Sequence, residues 1–192
     1  MDILMALTFP SVIIIDFQNK MSVRNVFLRD HDPNIMENAI DTTKSYSRIL
    51  IPVDGSEQSR NAAHYGISLA VRYNAKLVVL NVDNLSSIKK TFSSFITAPT
   101  YGTEEMEQKK EAMQKFLDEI LKIAEESSVE VKTQIIEESE SVIQAILEYA
   151  ENERADLIIV GTRGNSKFKK LLLGSITEGV VTYAHCPVLV VK

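Results

Sequence analysis

The residues with the clearest chemical potential are Gly161-Thr162-Arg163-Gly164 and, nine residues further on, Gly174-Ser175-Ile176-Thr177. This spacing suits a bound anion. A glycine carries no Cβ, so backbone N–H groups beside it can approach a phosphate closely. Gly174-Ser175 reads as the start of a helix, where free N–H groups and a partial positive charge favour phosphate. The hydroxyls of Ser175 and Thr177 add donors, and Lys167, Lys169 and Lys170 between the glycines raise the local potential. The same residues also read as a basic loop with a glycine turn and an ordinary serine N-cap.

Other chemistry is poorly represented. The pattern G-x4-G-K-[ST] is absent, which argues against a P-loop NTPase. His31, His64 and His185 are scattered, with no metal-ligand spacing to one another or to Cys186. The neighbours His185 and Cys186 read as a strand entry rather than a redox or metal site. No Ser–His–Asp arrangement is visible. Glu137, Glu138 and Glu140 form a solvated turn, and Lys109, Lys110 and Glu111 form the wet face of a helix.

These residues need elements to position them. Apolar runs at Ile49–Val53, Lys76–Val82, Val129–Ile136, Asp156–Gly161 and Pro187–Val191 read as strands. Between them lie segments with helical periodicity. Ala62, Ala63, Gly66, Ile67, Leu69 and Ala70 form one stripe, and Met106, Met113, Phe116, Leu117, Ile120, Leu121 and Ala124 form a second. Val142, Ile143, Ala145, Ile146, Tyr149 and Ala150 mark a third helix, begun near Ser139 or Ser141, and a further helix follows Gly174-Ser175. Strands alternating with helices imply right-handed βαβ units in a doubly wound parallel sheet. Such sheets bind ligands beyond the carboxyl ends of strands, where the winding reverses. That points to Asp54, to Val82–Asp83 and to the loop after Gly161.

Composition sets the outer bounds. The 192 residues are 45% hydrophobic, normal for a globular core. A formal net charge of -5 argues against general binding to nucleic acid or to anionic membranes. A single cysteine permits no internal disulfide and fits a reducing compartment, so a cytoplasmic location is expected. Ile3–Ile15 is interrupted by Thr8, Pro10 and Ser11, is too short to span a bilayer and lacks a basic leader. It reads as soluble, with a strand at Val12–Phe17. Residues 1–45 are expected to be a partly flexible extension, and 46–192 the folded domain.

The glycine pattern G-x2-G-x9-G-[ST], together with Ile51-Pro52-Val53-Asp54-Gly55-Ser56 and the closing Cys186-Pro187-Val188, resembles the ATP-binding subgroup of the universal stress proteins. The resemblance covers Arg48 to Lys192. It implies a five-stranded, Rossmann-like parallel sheet of the adenine nucleotide alpha hydrolase-like type, with strand order 3-2-1-4-5. Asp54 would hold the adenosine part, although it also reads as a turn or capping aspartate. Pro52, Val53 and Val82 would frame the adenine, although Pro52 and Val82 equally suit plain packing. Val160, Gly161, Arg163 and Gly164 would approach ribose and phosphates, and Gly174, Ser175, Ile176 and Thr177 would cradle the phosphates.

The ligand implied is ATP, or AMP or ADP, and the resemblance allows magnesium or manganese with it. The function implied is a nucleotide-dependent regulatory switch of the stress-response type, acting through protein partners. No residue stands out as a general base, so slow ATP hydrolysis is the most that is expected. The alternatives are an adenine nucleotide hydrolase and a nucleotide-free interaction module. In the implied order, Pro187–Val191 lies at a sheet edge and would pair in a homodimer, unless Val12–Phe17 covers that edge in the same chain.

Overall fold

The computed structural model describes residues 12–16, 22–23, 45–83, 103–137, 139–162 and 173–191. Its elements are β1 (Val12–Asp16), β2 (Ser22–Val23), β3 (Arg48–Val53), α1 (Glu57–Tyr73), β4 (Lys76–Val82) and α2 (Thr103–Glu126). They continue with β5 (Val131–Ile136), α3 (Val142–Asn152), β6 (Leu157–Gly161), α4 (Ser175–Tyr183) and β7 (Val188–Val191).

Strand and helix positions follow from local sequence. The β3, β4, β6 and β7 runs carry apolar residues on both faces, as strands covered on both sides must. Ser56 caps α1, its side chain accepting from the Ser59 N–H at 3.2 Å. Asn74 ends α1 in the left-handed conformation, which asparagine tolerates. Ser141 caps α3 by accepting from the Gln144 N–H.

Alternate residues of each strand enter opposite cores. Ile49, Ile51 and Val53 of β3 join Leu77 and Val79, Leu157 and Ile159, and Leu189 and Val191 under α1 and α2. On this side Ala62, Ala63 and Ile67 of α1 meet Phe116, Leu117 and Ile120 of α2. Leu50, Leu80, Ile158, Val160, Val188 and Val190 face the other way and pack against Ile146 of α3 and Val180 of α4. The sheet is therefore wound on both faces.

The sheet order is β2-β1-β7-β6-β3-β4-β5. The five domain strands are all parallel, and their order, taken as first to fifth, is 3-2-1-4-5. The chain moves from β3 outwards through β4 to β5, then crosses back to β6 and β7 on the other side. The winding thus reverses between β3 and β6. These two strands pair only at Ile49↔Leu157 and Leu50↔Ile158, whereas β3 and β4 pair over six residues.

One expectation needs correction. The last strand is not at an edge, because β1 pairs with it in parallel from Val12↔Val188 to Ile15↔Val191. The β-branched run Val12-Ile13-Ile14-Ile15 has high strand propensity, and an unpaired apolar β7 is an available template for it. The short β2 then pairs antiparallel with the end of β1.

Candidate nucleotide cleft

The crevice at the reversal point is built from three strand ends. β3 ends at Val53 and turns through Asp54 and Gly55. Gly55 sits at φ +77°, a conformation that strains any residue with a Cβ. Asp54 Oδ1 accepts from the Ser56 N–H at 3.1 Å and from the Ser56 hydroxyl at 2.6 Å. Asp54 is therefore a turn aspartate, as one of its two readings held, and it stays exposed at the strand end. Asn81 of β4 is buried, and its Nδ2 donates to the Val53 carbonyl at 2.9 Å, tying the ends of β3 and β4 together.

The β6 end is closed just as tightly. Thr162 N–H donates to the Val191 carbonyl at 2.7 Å, and Gly174 N–H donates to the Thr162 carbonyl at 2.8 Å. Thr162 and Gly174 are thereby held side by side. Gly174 is the N-cap of α4 and makes no side-chain cap hydrogen bond. Gly174 has no side chain to cap α4 as Ser56 caps α1, and Gly174 to Thr177 line the cleft.

Pro52, Val53, Asp54, Val82, Val160, Gly161, Gly174, Ser175, Ile176 and Thr177 all line one cleft of about 280 Å³. Arg163 and Gly164 lie outside the described residues, as do Lys167, Lys169 and Lys170. Four further lining residues were not singled out for the site: Ser59, Leu80, Val142 and Ile146. Val142 and Ile146 had been read only as the apolar stripe of α3. Their spacing of four places them on one helix face, and the first turn of α3 overhangs the crevice.

Two site residues carry structural roles as well. A Cβ on Gly161 would lie 2.8 Å from the backbone carbon of Gln58, so α1 demands this glycine before any ligand does. The Thr177 hydroxyl donates to the Gly161 carbonyl at 2.7 Å. A hydroxyl has one proton, so Thr177 offers its oxygen to a ligand as an acceptor and not as a donor. His185 and Cys186 lie at the entry to β7. His185 Nε2 lies 3.1 Å from the Ala155 carbonyl, and Cys186 is buried in the core.

Residues 45–192 match the Universal stress protein family. The chain belongs to that family. A universal stress protein of Methanocaldococcus jannaschii, MJ0531, is 38% identical over 149 residues, which are 77% of this chain and 82% of that protein. The solved structure of the hypothetical protein MJ0577 superposes with a TM-score of 0.63 at 28% identity, covering 78% of this chain and 98% of that one. A universal stress protein from Archaeoglobus fulgidus, solved in complex with dAMP, superposes with a TM-score of 0.55 at 15% identity, covering 78% of this chain and all of that one. The family match begins at residue 45, so β1 and β2 of this universal stress protein lie outside it.

Among the described residues, no group of three or more His, Cys, Asp or Glu is placed to hold a metal ion. No helix among the described residues is long and apolar enough to cross a membrane.

Proposed function

We propose that this universal stress protein binds an adenine nucleotide, ATP foremost, in the cleft between β3 and β6 and acts as a nucleotide-dependent regulatory switch. The observation that carries this reading is the meeting of two chemistries in one cleft. Pro52, Leu80, Val82, Val142 and Ile146 give it an apolar end, suited to a planar base. Gly174, Ser175 and Ile176 give it the N-terminus of α4, which has no side-chain cap from Gly174 and suits phosphates. Asp54 stands at the strand end as an acceptor for ribose hydroxyls. The dAMP complex of the Archaeoglobus fulgidus protein supports the nucleotide class.

In this reading binding, not turnover, is the function. The cleft residues orient the nucleotide, and partner proteins read the bound state. The test is direct. Purified protein is denatured, the supernatant is analysed for released nucleotide, and the protein is then titrated calorimetrically with ATP, ADP and AMP, with and without magnesium or manganese. Saturable binding of an adenine nucleotide supports the reading. No release and no heat with any of them, at any concentration up to about 1 mM, where binding is worth only about 4 kcal/mol, overturns it. Phosphate released over many cycles from the same preparation would make the protein a hydrolase instead.

A further inference from the structure

The two sides of the sheet end differently. Beyond β7 it is extended by β1 and β2, whereas on the other side β5 is the last strand among the described residues. Leu77 N–H donates to the Glu130 carbonyl and Asp83 N–H to the Ile136 carbonyl, so the even-numbered residues of β5 face β4. In a parallel ladder a residue turns its N–H and its C=O to the same neighbour. Val131, Thr133 and Ile135 therefore turn theirs outward, and of these groups the Ile135 carbonyl accepts from Gln134 Nε2 at 2.9 Å. A lysine on an edge ordinarily discourages strand addition. Lys132 is instead turned onto α3, where it pairs with Glu153 at 3.0 Å and lies 5.9 Å from the centre of the Tyr149 ring.

A groove of about 390 Å³ opens beside this edge, between the end of β5 and α3. Glu137, Glu140 and Glu148 line it together with Gln144, Tyr149 and Asn152, and no lysine or arginine does. Lys110 reaches Glu137 at 3.2 Å, but Glu140 and Glu148 have no ion-pair partner among the described residues. The Tyr149 hydroxyl is buried in the groove wall with no hydrogen-bond partner among the described residues, where buried hydroxyls are ordinarily paired. Glu137 and Glu140, which the sequence placed in a solvated turn, thus stand beside an open strand edge.

We propose that this edge and groove together dock an extended basic segment of a partner protein, which adds to the sheet beside β5. Strand addition supplies main-chain hydrogen bonds, and alternate side chains supply specificity. One set of side chains falls beside Ile135, which is 40% exposed, and the other enters the groove, where lysines or arginines meet Glu140 and Glu148. A second copy of this chain fits this edge poorly. Two β5 strands paired antiparallel about Thr133 would set Ile136 of one copy opposite Glu130 of the other. That brings Glu137 towards a like charge, between chains of net charge -5 each. The helix α3 is a shared wall, with Val142 and Ile146 on the nucleotide cleft and Ala145 and Tyr149 on the groove. A segment docked there rests on the helix that borders the cleft, although docking itself needs no nucleotide.

The experiment titrates labelled peptides of about nine residues, enough to span a strand, with the full chain by fluorescence anisotropy. Ionic strength is held near about 0.15 M, so that distant charges are screened. One peptide alternates Lys with Val and Thr. A second replaces every Val and Thr by proline, which keeps the charge and cannot form a regular strand. A third replaces every Lys by Glu. Hydrogen exchange follows the amides of Val131, Thr133 and Ile135. The Lys peptide should bind saturably and slow these three amides, with the other two peptides at least about tenfold weaker. Thr133→Pro removes an outward N–H at an edge position that tolerates proline, and should weaken the Lys peptide about tenfold. Glu140→Lys combined with Glu148→Lys should turn the preference towards the Glu peptide.

Equal binding of the Lys and proline peptides overturns the proposal, as does binding that leaves the three amides unprotected, since either reduces the site to surface charge. No saturable binding up to about 1 mM overturns it too, as does a folded Thr133→Pro chain that binds as tightly as the natural one. Protection of these amides in the free chain that fades on dilution would put a second copy on the edge and overturn it as well. Should Thr133→Pro fail to fold by circular dichroism, the peptide comparison and the charge-reversed variant decide the outcome.

Discussion

Thr177 Oγ1 donates a 2.7 Å hydrogen bond to the carbonyl of Gly161, joining the first turn of α4 to the last residue of β6. Thr177 is buried and Gly161 closes the strand, so the bond fixes where the N-terminus of α4 points. It makes one residue serve both the fold and the cleft. Thr177→Val keeps the shape and leaves the Gly161 carbonyl without its partner. The expected cost is about 1–3 kcal/mol of stability, measured by urea unfolding, with Thr177→Ser restoring most of it. If Thr177→Val is as stable as the natural protein, the bond does not hold α4 in place.

Gly161 and Gly174 belong to one sequence pattern but answer to different constraints. Gly161→Ala drives a Cβ to within 2.8 Å of the Gln58 backbone, so α1 must shift. Overpacking of this kind costs roughly 1–3 kcal/mol. Gly174 has φ −73° and ψ 154°, which any residue adopts. Gly174→Val should therefore leave the melting temperature nearly unchanged and weaken ATP binding strongly. Thermal melts and calorimetric titrations of the two variants separate them, and a reversed outcome would move the ligand contact from Gly174 to Gly161.

Asp54 is committed to Ser56 through Oδ1 while standing at the mouth of the cleft. Asp54→Ala should lower nucleotide affinity by about tenfold or more, since a hydrogen bond to a charged group is worth about 1.5–3 kcal/mol. It should also cost a smaller amount of stability through the lost turn. Normal ATP affinity combined with a much lower melting temperature would leave Asp54 with the turn alone.

Glu119 and Arg60 link α2 to α1, and the Arg60 guanidinium also lies 4.8 Å over the ring of Phe116. The hydrogen bond from Arg60, more than its charge, holds the Glu119 carboxyl below its ordinary value. A depressed carboxyl contributes stability that is present above the unfolded value, about 4.3, and is lost as pH falls through the folded one. Arg60→Met removes this contribution and keeps the stem on Phe116. The gap between the natural protein and the variant should be small at pH 7, because the pair is exposed, and should close on acidification. A gap that widens in acid would contradict the assignment.

How much of this protein is legible in its sequence differs from residue to residue. The strands and helices were readable because apolar period and capping serines are local properties: β4 spans Lys76–Val82 as its run indicated, and Ser56 and Ser141 cap the helices they precede. The reversal between β3 and β6 followed from the strand order that the family resemblance implies, and it brings Asp54, Val82, Gly161 and Gly174 to one crevice. The tertiary structure alone decided the rest. Gly161 is required by Gln58, 103 positions away in the chain, and Thr177 gives its proton to a carbonyl 16 residues earlier. Val142 and Ile146 look the same in sequence whether they fill a core or wall a cleft. Val12–Asp16 could be read as a strand and the last strand named as one possible neighbour, but the choice of that neighbour was not fixed, because pairing over such a distance depends on which sheet edge the folded domain leaves open. Periodicity is written in the backbone of each segment, whereas the partner of a donor, a glycine or an edge is set only when distant segments meet.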